Sequence, residues 1–282
     1  MAGLTRREVF TIAAAAGVGA TTILAATAED ALAQAVRDGV TPTFTLLLVN
    51  DIYKMSEVEG RGGFARLAAI ARAERAKRVP LLYAHAGDMF SPSLMSGFDQ
   101  GAHTVELLNV VPPNVFVPGN HEFDFGPEIY ARRRAESKFA YFAANLRAPD
   151  GSPLPGHEDR RIFELGPLKV GVFGVALASS PVMSQTTPLQ FGDEMETVQT
   201  QAKALRSEGA DLVVPGPLLD VAEDVVGGGD LLEALLGPRV AGVGVRVVLP
   251  RELAVGLLDV VGRGLLVDPE RLVEVLLGHV RA

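Results

Sequence analysis

No cysteine occurs anywhere in the chain, so disulfides and thiolate metal sites are both excluded. Any metal bound here must rest on carboxylate, amide and imidazole groups. A basic excess is missing too: 26 Lys and Arg face 34 Asp and Glu, for a net charge of -8. That balance argues against a nucleic-acid surface, which needs a basic stripe, so no nucleic-acid partner is expected. It suits hard cations, as it suits any acidic soluble protein. Strongly apolar long runs are also absent. The extended uncharged stretch at residues 11–27 is mostly Ala, Gly and Thr, too weakly apolar and too short for a stable membrane span. Core material, by contrast, is ample. Of the 282 residues 48% are hydrophobic, enough for one large domain or two small ones.

The N-terminus reads as an export signal. Thr5-Arg6-Arg7-Glu8-Val9-Phe10 sets a twin arginine ahead of the uncharged stretch, and Ala33-Gln34-Ala35 offers a small-residue cleavage site. Residues 1–35 are therefore expected to be a twin-arginine signal peptide, with a mature chain from near Val36. The twin-arginine export machinery is then a partner, and the destination is periplasmic or secreted. An uncleaved anchor is the alternative, disfavoured by the weak hydrophobicity.

From Phe44 onward strand and helix alternate. Phe44–Val49 is a short apolar run ending at Asn50-Asp51, a buried-strand signal. Residues 63–78 place Phe64, Leu67, Ala68, Ile70 and Ala71 at helical spacing, with arginines opposite. Further strands are predicted at 80–84, 115–117 and 139–146, and helices at 101–111 and 127–137. Residues 161–165 and 169–175 flank Gly166-Pro167 as a β-hairpin; 194–207 then reads as helix and 211–214 as strand. The sum is α/β, with parallel βαβ units followed by antiparallel strands.

Three successive strands each end in a polar cluster: Asn50-Asp51, Gly87-Asp88 and Gly119-Asn120-His121-Glu122. The intervals are about one βαβ unit each, which brings three carboxyl-end loops to one sheet edge, where open α/β sheets bind ligands. A lone Gly-Asp after a strand is ordinarily a turn. Three clusters in order, after three strands at helix-length spacing, point instead to a hard-cation site of two carboxylates, an amide oxygen and an imidazole. A carboxylate between two such ions can bridge them, and the pair can activate water and bind a phosphate oxygen.

The clusters sit within longer motifs: Gly62-Gly63-Phe64-Ala65-Arg66-Leu67, Ala86-Gly87-Asp88, Gly119-Asn120-His121-Glu122-Phe123-Asp124-Phe125-Gly126 and Ala144-Asn145-Leu146. Together with Asn50-Asp51 these resemble the catalytic domain of the 5'-nucleotidase branch of calcineurin-like metallophosphoesterases, over residues 41–214. The resemblance implies a two-sheet αββα sandwich flanked by helices, truncated at its C-terminal side. It implies two divalent metal ions of Zn, Mn, Mg or Ca type and a small phosphorylated substrate, with nucleotides as the leading class. Asp51 would hold the first metal, Asp88 would bridge and Asn120 would hold the second. His121 would protonate the leaving group or stabilise the transition state, oriented by Asp124. That pairing makes chemical sense, because a carboxylate fixes the imidazole tautomer and keeps it cationic beside a phosphate. The implied reaction is in-line attack of an activated water on phosphorus.

Two departures stand out. The family's first motif is Asp-x-His, and here it is Asp51-Ile52-Tyr53. His85, three residues before Asp88, has two readings: a further metal ligand, or a satisfied histidine near a strand end. His103 and His157 are expected to be ordinary surface residues. The second departure concerns the family's distal histidines, including a Gly-His-x-His segment. Nothing of this kind follows Val214; Gly278-His279 runs into Val280-Arg281-Ala282 instead.

Residues 208–282 contain no Ser, Thr, Asn, Lys, Ile, Met, Phe or Tyr, although those types make up 62 of the first 207 residues. Every residue type that remains has a codon beginning with G or C. The 21 Arg against 5 Lys point to a GC-rich gene. A shift of reading frame would generate this alphabet by moving G- or C-rich third codon positions into first positions. Residues 215–282 are therefore expected to be a low-complexity, frameshifted tail, a biased natural segment being the alternative. An amphipathic helix at 269–280 is within its means. The function expected is metal-dependent hydrolysis of phosphomonoesters, impaired in this chain by loss of the distal histidines. A non-catalytic phosphate-ligand binding protein, or a non-functional truncated product, is the competing reading.

Overall fold

Six apolar-flanked residues in a row, Phe44–Val49, form β1, and all six are buried, as a strand covered on both faces requires. The computed structural model describes residues 43–57, 62–216, 245–251 and 254–260. After β1 the chain runs through α1 (Phe64–Arg75), β2 (Leu81–His85), α2 (Ser96–Asp99), α3 (Ala102–Leu108) and β3 (Val115–Phe116). A 3-10 turn (Asn120–Phe123) leads into α4 (Gly126–Glu136), followed by β4 (Tyr141–Phe142), β5 (Leu146–Arg147) and β6 (His157–Glu158). Then come β7 (Arg160–Leu165), β8 (Leu168–Gly174), α5 (Ser180–Met183), β9 (Gln190–Phe191), α6 (Glu194–Ser207) and β10 (Leu212–Gly216). Last among the described elements are β11 (Val245–Arg251) and β12 (Ala254–Val260).

The large sheet has the order β12-β11-β1-β2-β3-β4-β6 and the second the order β10-β8-β7. From β11 to β6 neighbouring strands are parallel, because each return passes through a crossover. β7 and β8 form the antiparallel hairpin expected around Gly166, and β10 returns parallel to β8 through α6. Alternation of side chains along the strands builds three apolar layers. Leu47, Val49, Tyr83, Phe116 and Tyr141 face the helices with Phe64, Leu67 and Leu108. Phe44, Leu46, Leu82, Val115, Val117 and Phe142 face the second sheet, meeting Val170, Val172 and Leu212. Phe173 and Val213 turn outward onto Val198, Ala202 and Leu205 of α6. The result is the αββα sandwich. Among the described residues no helix is long and apolar enough to cross a membrane.

Three expectations need correction. The single strand predicted over residues 139–146 is two: β4 lies in the large sheet, and β5 pairs with β9 in a separate ribbon. Asn145 causes the break. Its Oδ1 accepts the Ala176 N–H at 2.8 Å and its Nδ2 donates to Ala176 O at 2.7 Å and Gly192 O at 3.1 Å, which takes the backbone off the ladder. His157 is not an ordinary surface residue. Its ring packs on Tyr130 and Tyr141, and its Nε2 meets the Tyr130 hydroxyl. His103 is also largely covered, with 9% of its side chain exposed and Nδ1 2.8 Å from Asp99 Oδ2.

Within residues 215–282 the structure describes two strands, in the large sheet. β11 pairs parallel with β1, from Phe44↔Val245 to Leu47↔Val248, and β12 pairs antiparallel with β11. The export segment at 1–35 and the helix expected at 269–280 lie outside the described residues.

Candidate active site

Because β1, β2 and β3 are adjacent and parallel, with Val49 beside His85 and His85 beside Phe116, the loops that follow them leave the same sheet edge. Backbone bonds join these loops. Ala86 N–H donates to Val49 O at 2.7 Å, Asp51 N–H to Gly87 O at 3.1 Å, and Val117 N–H to His85 O at 2.9 Å. Asp51, Asp88 and Asn120 are thus brought to one rim, with His121 next in line. Asp51 and Asp88 both hold left-handed backbone, at φ 56° and 58°. Such a conformation costs a side-chain-bearing residue about 1 kcal/mol, and aspartate tolerates it better than most.

Two glycines let the second and third loops touch. A Cβ on Gly87 would fall 2.3 Å from Gly119 N, and one on Gly119 would fall 2.2 Å from Asp88 Oδ1. The first clash is with backbone, and the second would displace the Asp88 carboxylate, so the Gly-Asp and Gly-Asn-His motifs need their glycines for close approach. Asp88 Oδ1 then accepts the His121 N–H at 3.1 Å.

Glu122 braces the junction from beneath. It is fully buried. Its Oε1 accepts the N–H groups of Met89 at 2.7 Å and Phe90 at 3.2 Å, and its Oε2 those of Asp88 at 2.9 Å and Gly119 at 2.6 Å. Burial, then the Asp88 charge, push its carboxyl pKa up, and the N–H bonds oppose them.

His121 and Asp124 form a pair, with Nδ1 2.7 Å from Oδ2. Ser184 Oγ donates to Asp124 Oδ1 at 2.7 Å, Ser91 Oγ donates to Oδ2, and Gln185 Nε2 donates to the Asp124 carbonyl at 2.9 Å. Partial burial, which lowers the His121 pKa, is outweighed by the Asp124 bond and by the charges of Asp88, Asp124 and Glu122, so the net shift is upward. For Asp124 burial, which raises the pKa, is outweighed by the bonds from Ser91, His121 and Ser184, and the net shift is downward. The pair therefore favours imidazolium and carboxylate.

His85 lies apart from this cluster. It is wholly buried on the helix-facing side of β2, with its ring 5.1 Å from that of Phe116. Its Nδ1 accepts the Gly87 N–H at 3.2 Å, and its Nε2 is buried without a hydrogen-bond partner. Burial drives its pKa down to about 3, so the ring is neutral. Tyr53 is half-buried, with Lys54 Nζ 5.9 Å from its ring centre. Along the 90–100 segment Phe90 and Ser91 are buried, whereas Leu94 and Phe98 are exposed.

The groups these loops bring to the rim are hard donors: two carboxylates and an amide. Among the described residues no three His, Asp or Glu side chains are gathered so as to hold a metal by themselves. Sequence reasoning passed over Ser91, Ser184, Gln185 and the bracing function of Glu122. Only Glu122 had a signal, its place inside the Gly119–Gly126 motif.

A parallel sheet with a carboxylate-rich rim, backed by a second sheet, defines a phosphoesterase-type α/β sandwich. Residues 44–214 match the calcineurin-like phosphoesterase family, and the chain belongs to it. The snake venom 5'-nucleotidase of Crotalus adamanteus is 30% identical over 187 residues, covering 60% of this chain and 32% of that protein. Human 5'-nucleotidase is 26% identical, covering 60% of this chain and 33% of its own. Among solved structures, the NAD nucleotidase of Haemophilus influenzae superposes with a TM-score of 0.55 at 25% identity, over 60% of this chain and 33% of that one. The 5'-nucleotidase precursor of Thermus thermophilus gives 0.54 at 25% identity, over 60% and 36%. The chain spans about a third of the length of the curated relatives it matches.

Proposed function

We propose that the protein is a metal-dependent phosphomonoesterase of 5'-nucleotidase type, acting in the periplasm or outside the cell after twin-arginine export. Asp51, Asp88 and Asn120 would hold the divalent cations, and the hard oxygen donors at the rim fit such ions. When bound, the cations supply positive charge that polarises a phosphate oxygen and activates water. His121 gives the leaving oxygen its proton from Nε2, because Nδ1–H is committed to Asp124. Asp124 fixes the ring's orientation and keeps it protonated, and Ser91 and Ser184 fix Asp124. The observation that carries this reading is the His121–Asp124 pair set directly against the Asp88 loop.

Among the described residues the imidazole at this rim, that of His121, is committed to Asp124, and the sequence after Val214 holds no Gly-His-x-His segment. Turnover is accordingly expected to be slow. The family match ends at residue 214, a few residues after the composition changes at 208, which supports a shift of reading frame near Val214. The nucleotide sequence around the Val214 codon tests that. If the neighbouring frame encodes no Gly-His-x-His segment, the shift did not happen.

The activity test uses the purified chain with manganese and adenosine monophosphate as probe. Phosphate release should be slow, abolished by chelation and lowered about a hundredfold by His121→Ala. Metal-independent release, or release untouched by that substitution, contradicts the assignment; turnover as fast as a full-length relative's contradicts the impairment. Tyr53 at the family's imidazole position favours a second reading, a binder of phosphate-bearing ligands. Two equivalents of bound metal would favour the enzyme, and none the binder.

A further inference from the structure

We propose that His85 is a positioning residue that sets the two aspartate loops through the Gly87 peptide, and that it is not itself a metal ligand. This inference rests on the metal-site reading above. Gly87, through the two peptides that meet at it, is the link between the loops. Its N–H donates to His85 Nδ1 at 3.2 Å, and its carbonyl accepts the Asp51 N–H at 3.1 Å. On its far side the Gly87 α-carbon abuts Gly119, and the next residue is Asp88. The N–H belongs to the Ala86–Gly87 peptide plane and the carbonyl to the Gly87–Asp88 plane, so the bond to His85 holds the first plane, and the Gly87 backbone at φ 86° leads from it into the second, which carries the bond to Asp51 and the start of Asp88.

An acceptor at Nδ1 leaves the proton of the neutral ring on Nε2. That N–H is buried with no partner among the described residues. An orphaned N–H costs stability, so packing alone gives no reason for an imidazole at this position. The acceptor at Nδ1 gives one. It serves a glycine at φ 86° that precedes the left-handed Asp88 and whose carbonyl holds the left-handed Asp51, so a rotation of the Ala86–Gly87 plane would shift both aspartates at the rim.

The two nitrogens can be mimicked separately. Asparagine places its amide oxygen where Nδ1 lies, and glutamine reaches the Nε2 position. The full-length chain is compared with His85→Asn, His85→Gln and His85→Leu by two measurements. Hydrogen exchange of the Gly87 amide, without added metal, reports the bond directly. Manganese affinity reports its consequence. Exchange should stay slow in His85→Asn and rise about tenfold in His85→Gln and His85→Leu, the loss of one net hydrogen bond. Manganese affinity should follow the same order, falling about tenfold or more only where the acceptor is gone. Retention of affinity by the glutamine variant and loss by the asparagine variant would identify Nε2 as a ligand and overturn the proposal. Equal exchange in all four proteins would overturn it too. If the parent chain binds no manganese, the metal-site reading fails, and the exchange series still decides whether His85 holds Gly87.

Discussion

The two halves of the rim are built differently. On the Asp88 side every group is braced: four backbone N–H groups converge on Glu122, Asp88 accepts from His121, and Asp124 is held from both sides by serines. On the Asp51 side the carboxylate is exposed and its neighbour Asn50 donates to it at 2.6 Å, while the backbone bond to Gly87 ties the loop in. The His121–Asp124 pair is thus prearranged by the fold, whereas the Asp51 loop is tied in by its bond to Gly87.

The largest predicted effect breaks the braced half. Glu122→Ala should leave four N–H donors, two of them buried and two part-buried, without an acceptor and cost about 3 kcal/mol or more in chemical denaturation. A cost under 1 kcal/mol would show that the brace is ornamental. Next is Gly87→Ala, which adds a Cβ 2.3 Å from Gly119 N at φ 86°. It should cost about 2 kcal/mol and separate the second and third loops, read as weakened manganese binding.

An intermediate effect comes from beneath the braced half, where Phe123 stacks on Tyr130 and Tyr130 meets His157. Burial lowers the His157 pKa to about 4, below its ordinary value near 6.5. The unfolded chain therefore binds the proton first. Stability is full above about pH 6.5 and falls as the pH drops towards 4, by about 1–2 kcal/mol after allowing for partial exposure. His157→Gln keeps an acceptor for Tyr130 and should flatten this limb in denaturation curves taken from pH 7 to 4; an unchanged limb would place the acid sensitivity elsewhere. The smallest effect belongs to the open half. Asn50→Ala should change stability by no more than about 0.5 kcal/mol, because the pair it removes is exposed.

Sequence patterns expose this fold unevenly, for physical reasons. β1 and α6 fall at the residues predicted, because a continuous apolar run and a 3.6-residue period are local signals. So is the capped start of α6, where Asp193 accepts the Glu196 N–H. The order of Asp51, Asp88 and Asn120 at strand ends was legible because parallel βαβ units must deliver successive loops to one edge. What was hidden is non-local. Asn145 breaks a predicted strand by bonding to Ala176 and Gly192, and those partners leave no periodic trace around it. His157 and His103 read as surface residues because the groups that cover them come from other elements. Glu122 shows as one acidic residue in a motif; only the folded loops reveal that four amides point at it.

Diffraction from a crystal of the full chain soaked in manganese, collected at the manganese edge, tests the central claim most directly. The account predicts anomalous density about 2.0–2.6 Å from carboxylate oxygens of Asp51 and Asp88 and from the Asn120 amide oxygen, with none at His85. Density absent from that rim, or centred on the His85 ring, would contradict it.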